Sequence, residues 1–139
     1  MKPSPRERFG AAVTLTPDAI ASYAAAVGDT NPIHHDPHFA AGTRFGRVIA
    51  SGTQTAALLL GLTASHYSRA GAMVGLEFWV RFRRPIFAGE TCRLEWLCVR
   101  VTRSESLMGD IVELRGRITL PSGDTAVGAK GKVLVTERL

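Results

Sequence analysis

The spacing of hydrophobic positions changes once along this chain, dividing it into a helical first half and a β-rich second half. Thr16–Pro17–Asp18 has the marks of a helix start: a hydroxyl N-cap, proline at the first helical position and an acid in the first turn. Ile20, Tyr23, Ala24 and Val27 then recur at helical spacing, and Gly28 closes the helix. Asp29 to Pro37 reads as a turn, because Asp and Asn bond their own backbone and Pro pre-sets a dihedral. Pro37 to Ala41 predicts a short helix and Gly42 to Val48 a loop. Ser51–Gly52 precedes a second long helix from about Thr53 to Tyr67, with Ala56, Ala57, Leu58, Leu59, Leu60 and Leu62. It is apolar nearly all round, so it is expected to be buried.

From residue 73 the period becomes two. Val74, Leu76, Phe78, Val80 and Phe82 face one way, and Glu77, Trp79, Arg81 and Arg83 the other. Pro85 stops that strand and Gly89 marks a turn. Thr91 to Thr102 predicts a second strand. Its inward set is Cys92, Leu94 and Trp96, then changes parity to Leu97, Val99 and Val101, which places a bulge near Trp96. Asp110 to Leu120 is a third strand, with Val112, Leu114, Ile118 and Leu120 inward. After the turn Pro121–Asp124, Thr125 to Thr136 is the last, with Val127, Ala129, Val133 and Val135 inward. Short links imply an antiparallel meander.

These elements make an α+β fold in which an antiparallel sheet wraps one long central helix. Residues 1–8 read as a loose lead-in and 9–139 as a single domain, with Phe9 to Leu15 able to add a strand. Such a sheet has open edges, and pairing across a two-fold axis covers them, so a homodimer is expected.

Composition narrows the class. At 139 residues, 45% hydrophobic and 21% charged, the chain suits one globular domain. The net charge of +5 fits an anionic ligand, such as a phosphate-bearing cofactor or an acidic carrier protein, and equally plain solubility. No stretch interleaves basic residues with exposed aromatics, so no nucleic-acid partner is expected. Thr53 to Ala64, the longest apolar stretch, is about half of the roughly 20 residues a membrane helix needs. The N-terminal MKPSPRERFG lacks the apolar core of a secretory signal. Cys92 and Cys98, on the order of 20 Å apart along one strand, are too far apart for a disulfide and read as reduced core thiols of a cytoplasmic protein.

The chemistry concentrates between Tyr23 and Ala40. Asp29 and His34 stand five residues apart on a stiff turn, and a carboxylate beside an imidazole can take one proton while giving another. An isolated Asp-x-Asn-Pro-x-His reads first as an Asx turn with capping groups. His34, His35, Asp36 and His38 are also dense in metal-ligand types, but Pro37 interrupts the span and no third ligand cluster appears, so no metal is expected. His35 and His38 are expected to face solvent, and His66 to end a helix.

The run Tyr23, Gly28–Asp29–Thr30–Asn31–Pro32–Ile33–His34, Asp36 and Ala40 closely resembles the hydratase motif of the MaoC-like hydratase/dehydratase family. Gly46–Arg47–Val48–Ile49–Ala50–Ser51–Gly52 is similar to the family's loop into its central helix, and Arg81 to Glu90 to its strand-end signature. The likeness runs from about residue 10 to the end. It implies the hot-dog fold, in agreement with the periodicity. It also implies reversible hydration of a trans-2-enoyl thioester, on CoA or a carrier protein, to the (R)-3-hydroxyacyl thioester. Asp29 and His34 become the catalytic pair, Asn31 its support, and the Gly52 backbone N–H the donor to the thioester carbonyl. Ser51 and Thr53, on either side of Gly52, are counted as supporting residues at the substrate. Ser51 stands where many relatives carry histidine, which bears on pocket shape rather than reaction class. No cofactor is implied, since CoA or phosphopantetheine belongs to the substrate.

Two other readings compete. A hot-dog thioesterase would usually draw its carboxylate from a helix. A non-catalytic acyl-thioester-binding subunit of a heterodimeric dehydratase would not need the intact Asp29–His34 pair. Arg81, Arg83 and Arg84 suit either a CoA phosphate or the solvated end of a strand. Leu58, Leu62 and Trp79 are expected to shape the acyl pocket, while the simplest reading of Trp79, as of Trp96, is a packing residue.

Overall fold

The computed structural model describes residues 2–139. In chain order it contains β1 (Arg8–Thr14), α1 (Pro17–Ala26), α2 (Pro37–Ala41), α3 (Gly52–Tyr67), β2 (Ala72–Phe82), β3 (Thr91–Ser104), β4 (Gly109–Thr119) and β5 (Thr125–Thr136). The strands form one antiparallel sheet in the order β1-β3-β4-β5-β2. Only β3, β4 and β5 make the expected meander. β2 pairs with β5 instead of its sequence neighbour β3, because residues 83–90 form a long proline-containing crossover rather than a hairpin turn. The strand anticipated at Phe9 to Leu15 is β1, lying beside β3 at the other edge.

α3 lies against the inner face of this sheet. Trp96 and Leu59, both fully buried, are the pivot of the contact: the indole Nε1–H donates to Leu59 O at 2.9 Å. Opposite Trp96, Gly116 lets the indole approach the β4 backbone; a Cβ there would sit 2.6 Å from a ring carbon. Phe78 meets the same indole edge-on, with ring centroids 6.1 Å apart.

Three expectations are corrected. The β3 bulge falls between Cys98 and Arg100 rather than near Trp96, so Cys92, Leu94, Trp96 and Cys98 are buried together, while Leu97 lies opposite Arg115 and Val99 is exposed. A second bulge, between Gly75 and Glu77, turns Val74 and Leu76 away from the core and leaves Met73, Phe78 and Val80 packed on it. Period-two reading cannot see an inserted residue that reverses parity. α3 is also less enclosed than its composition suggests. Gln54, Thr55, Leu59, Thr63 and Tyr67 are buried, but Ala56, Ala57, Leu58, Leu60 and Leu62 are only half-buried, because the sheet covers one side of the helix within a single chain.

At the far end of α3 the lead-in is tied to the sheet: Arg6 N–H donates to Cys98 O and Cys98 N–H to Glu7 O, both at 2.8 Å. His66, in the last turn of α3, stacks flat on Phe9 at 3.8 Å and places Nε2 3.3 Å from Glu7 Oε1. No described helix is long and apolar enough to cross a membrane.

Two predictions follow from this packing. Gly116→Ala should cost about 1–3 kcal/mol by overpacking against Trp96, read as a lower denaturant midpoint with an unchanged m-value. The second concerns pH. Burial pushes the Cys92 and Cys98 thiols above their ordinary 9.0, and pushes the Tyr67 phenol well above its ordinary range. Above pH 9.0 the unfolded chain therefore sheds protons that the folded chain keeps, so stability present below that pH declines as pH rises through it. Thermal unfolding should show Tm falling between about pH 8 and about pH 10; a flat profile would contradict it.

Candidate active site

Helix α1 ends in a Schellman motif that delivers the first site residue. Gly28 sits at φ +78°, its N–H donates to Ala25 O at 3.1 Å, and Asp29 N–H donates to Ala24 O at 2.8 Å. The left-handed residue is what turns the chain, and glycine adopts it without steric cost. Asp29 then folds an Asx turn: its Oδ1 accepts from Asn31 N–H at 3.0 Å, leaving Oδ2 free. Asn31 caps the short turn Pro32–His34, its Oδ1 accepting from Ile33 N–H at 3.3 Å, and His34 N–H donates to Asn31 O at 3.1 Å. Asp36 caps α2 through His38 and Phe39 N–H.

These interlocking turns bring His34 Nε2 to 3.6 Å from Asp29 Oδ2. The imidazole is buried, whereas the carboxylate is one-quarter exposed. His34 Nδ1 lies 2.8 Å from Ile49 O. A carbonyl only accepts, so Nδ1 carries the hydrogen, and in the neutral ring Nε2 keeps its lone pair toward Asp29. Two acceptor atoms 3.6 Å apart can each accept an O–H of one water molecule.

The three motif segments converge here. Ile49, which orients His34, pairs with Phe87 in an isolated bridge. Ala50 N–H donates to Ile86 O at 2.8 Å and Ala88 N–H to Val48 O at 3.1 Å. The loop into α3 is therefore stitched on one side to the histidine turn and on the other to the β2–β3 crossover. A cavity of about 310 Å³ opens between them, lined by His34, Gly52, Phe45, Ile49, Phe82 and Ile86 among others. Gly52 is the first residue of α3, where backbone N–H groups lack intrahelical acceptors and the helix dipole is positive. Phe82 lies directly over it: a Cβ at Gly52 would sit 2.9 Å from the ring.

The remaining sequence candidates have other positions. Ser51 is buried and serves as the N-cap of α3, its Oγ accepting from Gln54 N–H at 3.3 Å and lying 3.1 Å from Thr53 Oγ1. The Thr53 carbonyl accepts from Tyr23 Oη at 3.4 Å, and Thr55, two residues further on, lines the cavity. His35 is exposed as a residue, yet its Nε2 donates to Asp29 O at 2.8 Å and braces the turn. Among the described residues no three His, Cys, Asp or Glu side chains converge as a metal site. Leu58, Leu62 and Trp79 do not line the cavity; Trp79 stands on the outer sheet face beside Lys130. A larger depression of about 470 Å³ lies there, where Glu77 is already paired with Lys132. Phe45, Phe82 and Val127 were invisible as lining residues because only the β2–β5 pairing and the loop stitching bring them to the histidine.

Residues 2–113 match the family model described as "MaoC like domain", and the chain belongs to that family. It is 31% identical over 123 residues to the (R)-specific enoyl-CoA hydratase of Aeromonas caviae, covering 87% of each chain. It is 37% identical over 84 residues to 3-hydroxyacyl-thioester dehydratase Z of Mycobacterium tuberculosis, spanning 58% of this chain and 56% of that protein. The solved (R)-hydratase of A. caviae superposes with a TM-score of 0.85 at 28% identity, covering 95% of this chain and 96% of that one. The sheet around α3 is accordingly the hot-dog fold that the motif resemblance implied.

The turn that carries the pair can be tested apart from chemistry. Asn31→Ala removes the cap of Pro32–His34 and should cost about 1 kcal/mol in denaturant unfolding, whereas Asn31→Asp, which keeps an acceptor, should retain most of it.

Proposed function

We propose that this protein is a hydro-lyase that reversibly adds water across the double bond of a trans-2-enoyl thioester, giving the (R)-3-hydroxyacyl thioester. The observation that carries this reading is the 3.6 Å approach of Asp29 Oδ2 to His34 Nε2 beside the cavity that Gly52 also lines. In the forward direction water is held by both groups, and its oxygen bonds to C3 as one of its protons passes to the pair. The displaced π electrons move through C2 onto the thioester oxygen, where the Gly52 N–H and the positive end of α3 offset the developing charge. A proton from the same pair then reaches C2, so one water is consumed and no redox change occurs. Dehydration is the reverse. The likeness to an (R)-specific hydratase supports the configuration.

Neither a metal nor a redox group takes part in these steps, and CoA or phosphopantetheine enters only as part of the substrate. A homodimer joined along the open edge at β2 fits the exposure of Val74 and Leu76 there and the half-covered face of α3. The two buried free thiols suit the reducing cytoplasm.

Loss of the ultraviolet absorbance of crotonyl-CoA measures the reaction, since hydration breaks the conjugation. Asp29→Asn and His34→Ala should each lower turnover by about 10²–10⁴-fold while eluting in gel filtration at the wild-type volume. Near-normal turnover in both variants would overturn the assignment.

A further inference from the structure

Phe82 differs from the other apolar residues around the cavity. Phe45, Ile49, Ile86 and Val127 line it and also pack on the hydrophobic core. Phe82 is 56% exposed, so burial alone does not account for its ring. Its place is nevertheless fixed. It is the last β2 residue paired with β5, opposite Val127, and the next two N–H groups, of Arg83 and Arg84, both donate to Ala126 O at 2.8 and 3.1 Å. The ring turns its far edge toward the first residue of α3: a Cβ on Gly52 would lie 2.9, 3.0 and 3.3 Å from Cζ, Cε1 and Cε2. An apolar ring edge is thus mounted against the backbone donor that the hydration chemistry assigns to the thioester carbonyl.

That contact limits what can lie beside the donor. A carbonyl oxygen accepting from the Gly52 N–H stands about 2.9 Å from the nitrogen. The carbonyl carbon is one bond and C2 two bonds from that oxygen, at roughly 1.2 and 1.5 Å per bond, so C2 comes within about 5 Å of the same nitrogen. C3 is the next carbon, directed toward Asp29 Oδ2 and His34 Nε2. Of the carbons that react, C2 is therefore the one that must pass the Phe82 ring edge. A hydrogen there fits against the ring, whereas a methyl group competes with it for the same space, as a β-carbon on Gly52 would.

We propose that Phe82 is a specificity-determining residue that restricts the enzyme to enoyl thioesters carrying hydrogen at C2, its ring excluding those methylated there. This rests on the hydratase reading, and the experiment separates the two. Hydration kinetics are measured for crotonyl-CoA, trans-2-hexenoyl-CoA and (E)-2-methylbut-2-enoyl-CoA with wild type, Phe82→Leu and Phe82→Ala. The side chain is largely exposed, so the variants should fold. A change at this position also affects turnover in general, so the readout is a ratio within each enzyme. The kcat/KM for the 2-methyl thioester relative to crotonyl-CoA should rise on the order of tenfold or more in Phe82→Ala, and less in Phe82→Leu. The ratio of hexenoyl-CoA to crotonyl-CoA should keep its wild-type value, since the added carbons lie beyond C3. For a variant too slow to assay, calorimetric affinities for propionyl-CoA and 2-methylpropionyl-CoA, which carry no double bond to hydrate, give the corresponding ratio. An unchanged 2-methyl ratio in both variants, or a hexenoyl ratio that rises in step with it, would overturn the proposal while leaving the hydratase reading in place. So would a wild type that hydrates the 2-methyl thioester as well as crotonyl-CoA. A wild-type enzyme inert toward all three thioesters would overturn both.

Discussion

One hydrogen bond organises the site: His34 Nδ1–H to the carbonyl of Ile49. It settles which ring nitrogen carries the hydrogen and so leaves Nε2 as an acceptor facing Asp29. It also joins two segments fifteen residues apart, the turn after α1 and the loop into α3. Because that loop is bonded in turn to Ile86 and Phe87 of the β2–β3 crossover, the orientation of one imidazole depends on three stretches of chain being in register. Losing the contact would free the ring to rotate and the tautomer to change, with the acid–imidazole pair still present in composition but no longer in geometry.

The scaffold supplies what this bond cannot. Trp96, anchored to the Leu59 carbonyl and accommodated by Gly116, fixes the depth at which α3 lies against the sheet. That depth places the N-terminus of α3, and hence Gly52, beside the cavity. Phe82, at the end of β2, covers the same glycine. Polar side chains do unusual work along this helix: Gln54, Thr55 and Thr63 are buried while several leucines are only partly covered. A helix whose apolar side is open in one chain is consistent with the proposed pairing of two chains. Gly52 likewise packs closely under Phe82, whose ring a β-carbon at this position would have to push aside.

Much of the candidate site is legible in the sequence. Thr16, Pro17 and Gly28 mark the limits of α1 through capping chemistry, which is local and therefore readable. Asp29, Asn31 and His34 lie within six residues, and Asx turns and proline constrain such a span whatever surrounds it. The alternating pattern fails where one inserted residue reverses it. The bulges at Gly75–Glu77 and Cys98–Arg100 exchanged the faces of Val74, Leu76, Leu97 and Val99, and period-two counting carries no signal for them. Trp79, expected at the acyl pocket, stands on the outer face; Phe82 and Val127, whose role was not anticipated, reach the cavity. Ser51 proved to be a helix cap, a role its hydroxyl and its place before Gly52 already allowed.

The sequence by itself determined the helix limits, the alternating strands, the stiff acid–imidazole turn and the family to which these belong, because each depends on residues close together in the chain. Tertiary structure alone decided the strand order that sends β2 across to β5, the tautomer of His34, and the meeting of Arg83 and Arg84 with the cavity that His34 lines. Those outcomes depend on hydrogen bonds and packing between segments far apart in sequence, whose geometry is set by the collective closure of the sheet on its helix rather than by any local preference.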